Sequence, residues 1–351
     1  MNNIDTTKLK SSSIETDRIK QLLRLQDEPY LHVSDTQVHM ILMDYATELM
    51  AVFKHTYGEW SKDEHSVTIP QKKVIQTIGL KGDFRVMPCI TTLQGGIKAV
   101  KVIGTNEENR TIKDKISVGK TLLLDWHDNH VTAILDTCVL SSYRTAAISL
   151  LAYSLTHDEE IKKIGIVGAG RIGFYTAFLL HNWLDIKHVY YYDPNPKIVK
   201  NFEALSAIYM PDLDIEYREE DRVIKDSDAL FLATDATTPL LNSVNTTHVK
   251  FVSSVGADAD NLSELHESMI GNYQIVTDTM QSMLMGDMYI WKKEKWLSEK
   301  DVIVLKDIVN TPYASLKPTL FISTGVAIQD AIITQFVIDK FKAENNANQY
   351  S

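Results

Sequence analysis

Cysteine is scarce in this sequence: only Cys89 and Cys138 occur among its 351 residues. Two cysteines cannot form the disulfide framework of a small secreted domain, and no C-x-x-C motif is present. The N-terminal segment lacks the apolar stretch of a secretory signal, and no run of about 18 apolar residues occurs in the chain. We therefore expect a cytoplasmic protein without a membrane-spanning helix.

Basic residues are outnumbered as well. Lys and Arg number 36 against 46 Asp and Glu, which gives a formal net charge of −10. Binding to the phosphate backbone of a nucleic acid needs a concentrated basic surface, so we expect no nucleic-acid partner. A small anion held by a few buried cations remains compatible with this balance. The apolar fraction of 44% and the chain length predict two domains, each with its own core.

The N-terminal part of the chain predicts helical and then β-rich structure. Residues 1–20 are expected to form a mobile arm, and the apolar spacing over 38–53 predicts a helix. Short β-rich segments then predict an antiparallel sheet or a partly closed barrel: 67–78, 83–90, 96–104, 121–125 and 131–136. The WHDNH stretch at 126–130 is better explained by a hairpin turn than by a metal site, because no third ligand has a suitable spacing.

The second half of the chain alternates strands and helices, which predicts a doubly wound parallel sheet with helices on both faces. A helix over 141–155 precedes it, and a long amphipathic helix is predicted over 324–345. We therefore predict an α+β domain with an antiparallel sheet over 1–155, to which 321–351 return. A Rossmann domain is predicted over 156–320.

The GAGRIG segment carries the G-x-G-x-x-G pattern between an apolar strand and an amphipathic helix. There Gly168 allows a tight turn, Gly170 lets backbone amides approach a pyrophosphate, and Gly173 allows close packing of helix on strand. The amides at the helix N-terminus, where Arg171 and Ile172 stand, would donate to the phosphates. The alternative is a doubly wound domain that holds no nucleotide.

The next strand ends at Asp193, near the spacing of about 20 residues expected of a ribose-binding acid. A carboxylate there accepts hydrogen bonds from ribose hydroxyls and repels a 2′-phosphate, so NAD is favoured over NADP. Thr234 and Asp235 follow another strand, at the edge where the nicotinamide and its ribose would lie. They could equally be ordinary turn residues.

Five motifs occur in a fixed order: MP (87–88), GIK (96–98), SSYRTAA (141–147), GAGRIG (168–173) and GADADNLSEL (256–265). Together they resemble the ornithine cyclodeaminase/mu-crystallin family from about residue 35 to the C-terminus. The resemblance implies a homodimer that pairs through its non-nucleotide domain, which would also bind the substrate. It further implies NAD(P)-dependent hydride chemistry at the α-carbon of an amino or imino acid.

The resemblance also implies roles for basic residues. Arg144 of the RTAA motif would bind the substrate carboxylate with its planar fork, unless it forms a structural ion pair. Lys98 of GIK would lie beside the reacting carbon, where it holds a carboxylate or polarises an imine. Its alternative role is that of a solvated lysine on an edge strand. Lys101, three residues on, would point to the opposite face and into solvent.

Asp258 follows an apolar strand at the carboxyl edge of the parallel sheet, where ligands of such folds collect. In the family this aspartate carries a proton or contacts the distal amine of the substrate. Burial would raise its pKa, which suits acid–base work. Asp260 is a competitor for the role, and capping of the following segment is the alternative for Asp258.

Two positions depart from the family pattern. Many members carry an arginine in a P-P-R segment, where this chain has Lys72 within IPQKK and so loses bidentate geometry. Ornithine cyclodeaminases have a glutamate two residues before MP, where this chain has Arg85. If Arg85 faces the pocket, a diamine becomes less favourable and a second carboxylate more so. Alternatively, Arg85 lies on the solvated face of its strand.

These features predict an NAD-dependent oxidoreductase that acts on the C–N bond of an amino or imino acid, with an adduct of an amino acid and a 2-oxo acid as one candidate substrate. Lys72, Lys98 and Arg144 would anchor the α-carboxylate, and Asp258 or a water would handle the proton. One alternative is an ornithine cyclodeaminase-type lyase that uses NAD catalytically and releases ammonia. The other is a nucleotide-dependent binding protein without turnover. No metal is expected.

Overall fold

The structure, a computed structural model, describes residues 13–25, 28–76, 79, 82–106, 108, 117–157, 161, 163–259, 261–311, 313 and 315–349. Asp260, most of the predicted N-terminal arm and the end of the 67–78 segment lie outside these residues. Residues 13–20 were expected in the arm but belong to a helix that runs from Ser13 to Leu23. No helix within the described ranges is long and apolar enough to cross a bilayer.

The α-helices are α1 (Ser13–Leu23), α2 (Asp35–Asp44), α3 (Ala46–Lys62), α4 (Thr137–Thr156), α5 (Arg171–Leu184), α6 (Pro196–Tyr209), α7 (Glu220–Asp226), α8 (Gly286–Lys293), α9 (Leu305–Ile308) and α10 (Ala327–Gln349). The helix predicted over 38–53 is two helices, α2 and α3, which break at Tyr45. Ser34 caps α2 in a capping box with Gln37.

The first sheet contains β1 (Leu31–Val33), β2 (Val67–Thr68), β3 (Lys73–Ile75), β4 (Asp83–Thr91), β5 (Ile97–Thr105), β6 (Ser117–Leu124) and β7 (Val131–Asp136). Its strand order is β1-β7-β6-β5-β4-β2, with β3 also beside β4. All of its pairs are antiparallel except β1 with β7. The WHDNH stretch lies in the turn between β6 and β7.

One face of the first sheet packs against α4 and α10. On β4 this face carries Arg85, Met87 and Cys89, and Lys101 of β5 lies directly opposite Met87. The outer face carries exposed apolar side chains such as Phe84. The period of two along each strand thus separates a buried face from an apolar outer face.

The second sheet contains β8 (Ile164–Val167), β9 (His188–Tyr192), β10 (Asp214–Tyr217), β11 (Ala229–Leu232), β12 (Phe251–Ser254), β13 (Gln274–Thr277), β14 (Val302–Val304) and β15 (Thr319–Ile322). Its order is β10-β9-β8-β11-β12-β15-β13-β14, and every pair is parallel. Along β11, Ala229 and Phe231 enter one core while Leu230 and Leu232 enter another. The sheet is therefore covered on both faces, as the doubly wound prediction requires.

Strand order reverses between β8 and β11, which makes the carboxyl ends of these strands a topological switch point, the place where such folds bind ligands. Two helices bring the first sheet to this edge. α4 begins at Thr137, one turn earlier than the predicted 141, and α10 begins at Ala327, a four-residue connection after β15. α10 packs against β4, β5 and α4, so the start of the last helix lies between the two sheets.

Candidate active site

The glycine-rich loop follows β8 at the switch point. Gly168 has φ +95°, and a Cβ there would lie 2.5 Å from the carbonyl oxygen of Ala233, so only glycine fits. Gly170 precedes α5, and a Cβ on it would meet no atom within 4 Å. No side chain caps α5, which begins at Arg171. An open approach to the free amides at the start of a helix suits a phosphate group.

Asp193, at the end of β9, lies against this loop. Its carboxylate accepts hydrogen bonds from the amide of Ala169 at 3.0 Å and from the amide of Asn195 at 2.9 Å. The placement suits contact with a ribose next to the pyrophosphate loop. Thr234 follows β11 at the same edge of the sheet, and Asp235 next to it is exposed.

Glu264 organises this edge, and the sequence did not single it out although it stands in the quoted GADADNLSEL motif. Its Oε1 accepts from both the amide and the hydroxyl of Thr234 at 2.8 Å. Its Oε2 accepts from the hydroxyl of Ser254 at 2.6 Å and from the amide of Gly256 at 3.0 Å. Burial raises the pKa of Glu264. One carboxylate thus ties the loops after β11 and β12 together.

Arg144 lies on α4 and is 7% exposed. Its Nε donates to Oδ1 of Asp330 at 3.2 Å, and its Nη1 donates to Oε1 of Gln329 at 3.1 Å. A Cβ on Gly325 would lie 2.5 Å from Nη1 and 2.8 Å from Cζ, so the backbone before α10 packs directly on the guanidinium. The sequence did not identify these partners, because they come from a helix distant in sequence.

Lys101 is the second cation of the site, and the expectation that it is solvated is wrong. It is 1% exposed, and its Nζ donates to Oδ1 of Asp330 at 2.8 Å. The face of β5 that carries Lys101 is the one covered by α4 and α10. Burial lowers the pKa of Lys101 to about 7, against the opposing effect of Asp330.

Lys98 lies on the other face of β5, since three residues separate it from Lys101. Its Nζ donates to the carbonyl oxygen of Trp126 at 2.5 Å and to Oδ1 of Asn129 at 3.0 Å. The structure therefore does not bring Lys98 to Arg144. The physical reason is that α4 and α10 pack on the face of the sheet that carries Lys101, so Lys98 lies on the uncovered face of β5.

Lys72 lies just before β3 and reaches the start of the last helix. Its Nζ donates to the carbonyl oxygen of Thr324 at 2.6 Å. Burial lowers its pKa to about 8, and the nearby Asp258 partly offsets this effect. The charges of Arg85 and Arg144 also act on Lys72, so these basic groups share one site.

Arg85 faces inward and is 6% exposed, so the alternative in which it points to water is wrong. Its Nε and Nη2 each donate to a carboxylate oxygen of Asp83 at 3.1 Å, and its Nη1 donates to Oδ2 of Asp258. The pKa of Asp258 was expected to be raised. Burial acts in that direction, but Arg85 and Lys72 outweigh it and hold the pKa of Asp258 below its usual range.

The site thus combines cations and carboxylates between the buried face of the first sheet and the carboxyl edge of the second: Lys72, Arg85, Lys101, Arg144, Asp83, Asp258 and Asp330. Lys98 was predicted to belong to this group, but Lys101 lies there instead. Within the described ranges no group of three or more His, Cys, Asp or Glu side chains could hold a metal ion. The arrangement suits a small carboxylate next to a dinucleotide.

The family model named ornithine cyclodeaminase/mu-crystallin family matches residues 28–345. The chain belongs to this family. The curated iminosuccinate reductase of Paracoccus denitrificans (strain Pd 1222), to which it is similar, is 24% identical over 275 residues, 77% of this chain and 83% of that protein.

Solved structures of family relatives have the same fold. One is Δ(1)-pyrroline-2-carboxylate reductase of Thermococcus litoralis in complex with NADH and L-proline, with a TM-score of 0.80 at 23% identity over 90% of this chain and 98% of that chain. Another is an archaeal alanine dehydrogenase dimer with bound NAD, with a TM-score of 0.78 at 20% identity over 90% and 97%. The predicted fold class, a Rossmann domain with an antiparallel α+β domain, is confirmed.

Proposed function

We propose that this family member is an NAD-dependent oxidoreductase that acts on the C–N bond of an imino or amino acid. The observation that carries the proposal is the cluster formed between the two sheets by Arg144 and Lys101, which are buried, and Lys72, which is partly buried. Burying several cations together is costly unless they serve a ligand or are fully paired. The reductase and dehydrogenase names of the relatives support the same chemistry.

The cofactor site proposed for NAD consists of the glycine-rich loop, the helix start and two neighbouring strand ends: Gly168, Gly170, Arg171, Ile172, Gly173, Asp193, Thr234 and Asp235. These residues fit the group, because the cradle at Gly170 is open and Asp193 lies against the loop. When bound, the nicotinamide exchanges a hydride with the substrate α-carbon.

The substrate carboxylate is proposed to bind Arg144. A guanidinium has five N–H donors, and Asp330, Gln329 and Ser141 engage three of them, so the Nη1–Nη2 edge keeps one N–H on each nitrogen for a ligand. Lys101 and Lys72 add positive charge beside this edge. Asp258 then lies on the side of the substrate nitrogen.

The proposed substrate need not carry a second acid. Arg85 suggested one from the sequence, but its charge is matched by Asp83 and Asp258. Ornithine cyclodeaminases have a glutamate at the position of Arg85, so this chain has no carboxylate there. A monocarboxylic imino acid therefore suits the site as well as a dicarboxylic one does.

We further propose that the chain pairs with a second copy through the outer face of the first sheet. Phe84 and Ile90 are 44% and 46% exposed on this face, which is apolar and open. An archaeal alanine dehydrogenase of the same fold is described as a dimer. Residues 1–155 with 321–351 would then be the substrate-binding and dimerisation domain. Cys89 and Cys138 are not joined in a disulfide, which supports a cytoplasmic location.

The proposed activity is tested by following nicotinamide absorbance with purified protein. Imino acids, and amine plus 2-oxo acid mixtures, are added with NADH, and amino acids are added with NAD. We expect net oxidation of NADH with at least one imino acid and a strong loss of this rate in Arg144→Ala. Ammonia release from ornithine without net change of nicotinamide would support the lyase instead. Turnover that Arg144→Ala leaves intact would contradict the proposed carboxylate site.

A further inference from the structure

Asp83, Arg85 and Asp258 form a triad of charges that joins the two sheets. Asp83 and Arg85 are two residues apart on β4, and each side chain is 8% exposed. The guanidinium edge formed by Nε and Nη2 is held in a bidentate pair by Asp83. Its remaining nitrogen, Nη1, donates to Asp258 beyond the end of β12. Arg85 is therefore oriented by one carboxylate and directed at another.

We propose that Arg85 is a positioning residue, which keeps Asp258 ionised and directs its carboxylate at the substrate nitrogen. The proposal rests on the proposed function, since it assigns the charge state of a group in that same site. It departs from the role of proton carrier that the family resemblance implies for Asp258.

The chemistry favours an ionised Asp258. An imino acid is most electrophilic as its iminium cation, in which the C=N carbon accepts hydride from the reduced nicotinamide. A C–H bond forms, the C=N π electrons become the lone pair of the amine nitrogen, and the nicotinamide is oxidised. No proton donor is needed in this step. A carboxylate beside the nitrogen stabilises the cation that reacts, which a neutral carboxylic acid does much less well.

The surroundings of Asp258 support this state. The charged groups that act on it are Arg85, Lys72 and Arg144, all positive, with Asp83 placed behind Arg85. Arg85 is bonded to it directly, while Lys72 and Arg144 act through space. The Asp258 side chain stays 35% exposed, so its carboxylate remains accessible to a ligand.

A second triad in the chain provides a matched control. Glu216, Arg218 and Asp226 repeat the arrangement at the edge strand β10, with the acid again two residues before the arginine. Arg218→Met removes one positive charge and one bidentate pair with a carboxylate, as Arg85→Met does at its own site. Because this triad lies away from the switch point, its loss should leave Asp258 unaffected.

The test is a pH titration of the full-length protein that carries ¹³C-labelled aspartate carboxyls, followed by NMR, with the Asp258 signal assigned by its absence in Asp258→Asn. We expect Asp258 to titrate below its usual range in the wild type and in Arg218→Met. In Arg85→Met its pKa should rise by about 1 to 3, the usual effect of one adjacent opposite charge. Arg85→Lys should fall between, since it restores the charge without the fork.

The acid limb of kcat/KM should move to higher pH in Arg85→Met and stay in place in Arg218→Met. An Asp258 signal that titrates alike in wild type and Arg85→Met would overturn the proposal, as would a wild-type pKa at or above the usual range. If Arg85→Met does not fold, Arg85→Lys carries the same comparison. The titration needs no substrate. If Asp258 titrates as expected and no substrate is turned over, only the proposed function is contradicted.

Discussion

Arg144 is positioned by residues on both sides of its guanidinium, with Asp330 and Gln329 at two N–H groups and Gly325 against its face. We predict that Arg144→Lys raises KM for the carboxylate substrate about 10- to 150-fold, because it loses charged hydrogen bonds worth about 1.5 to 3 kcal/mol. Steady-state kinetics measures this change, and fluorescence titration should find the Kd for NADH unchanged. Arg222→Lys, at a 57% exposed side chain, is the control and should leave KM unaltered.

Lys101 and Lys72 predict a pH dependence of substrate binding. Burial lowers their pKa values to about 7 and about 8, so both lysines are charged below these values and lose their protons as pH rises through them. KM should therefore increase from about pH 7 upward. Lys101→Met should raise KM at pH 6 but match the wild type well above pH 8, where Lys101 is already neutral. A constant ratio of the two KM values across pH would contradict this role.

At single positions the sequence predicted residue types better than their contacts. Arg144 and Asp258, each within a recognisable motif, were predicted as site residues, and the structure places both in one cluster of charged groups. Lys98 and Lys101 were assigned to opposite faces of their strand, which is correct, but the wrong face was taken as buried. The two-residue period separates the faces, whereas the docking of α4 and α10 decides which one is covered. No local pattern contains that information.

Among the structural elements, the loops after β11 and β12 depend on one buried carboxylate. Both oxygens of Glu264 accept a backbone N–H, one from Thr234 and one from Gly256. In Glu264→Gln only one side-chain oxygen remains to accept. The amide NH₂ then faces the other backbone N–H, and that hydrogen bond is lost. We predict a Kd for NADH that is weaker by about 5- to 150-fold, from a loss of about 1 to 3 kcal/mol.

Fluorescence titration and thermal unfolding measure the effect of Glu264→Gln separately on binding and on stability. The same substitution at Glu267, whose side chain is 42% exposed three residues on, is the control. A Kd for NADH that is equal in both variants would show that Glu264 does not shape the cofactor site.

The elements themselves were largely predictable. Alternation of strands and helices identified the second sheet, and period-two segments identified most of the first. The start of α4 was less so: the helix begins at Thr137 without a side-chain cap hydrogen bond, one turn before the predicted start at 141. The role of α10 was not predictable, because Gln329 and Asp330 contact Arg144 and Lys101, which are far away in sequence.

At the scale of the whole molecule, the outer face of the first sheet is the proposed interface between two copies. We predict that Phe84→Asp halves the mass measured by light scattering, because it places a charge in the proposed interface between two copies. Phe84 is 44% exposed within one chain, so the fold should survive. Val244→Asp, at a residue 81% exposed, is the control and should leave the mass unchanged. A dimer that withstands Phe84→Asp would place the interface elsewhere.

The contact between Lys101 and Asp330 also has a consequence for the order of events during synthesis of the chain. Lys101 stands 229 positions before its counterion, and Arg144 stands 186 positions before the same carboxylate. At roughly 5 to 20 residues per second, a ribosome needs on the order of 10 to 45 seconds to bridge the longer interval. Until then, the nascent chain holds two cations that have no native acid to pair with. The cluster of charges around Arg144 is completed only once Asp330 has been synthesised, well after the glycine-rich loop.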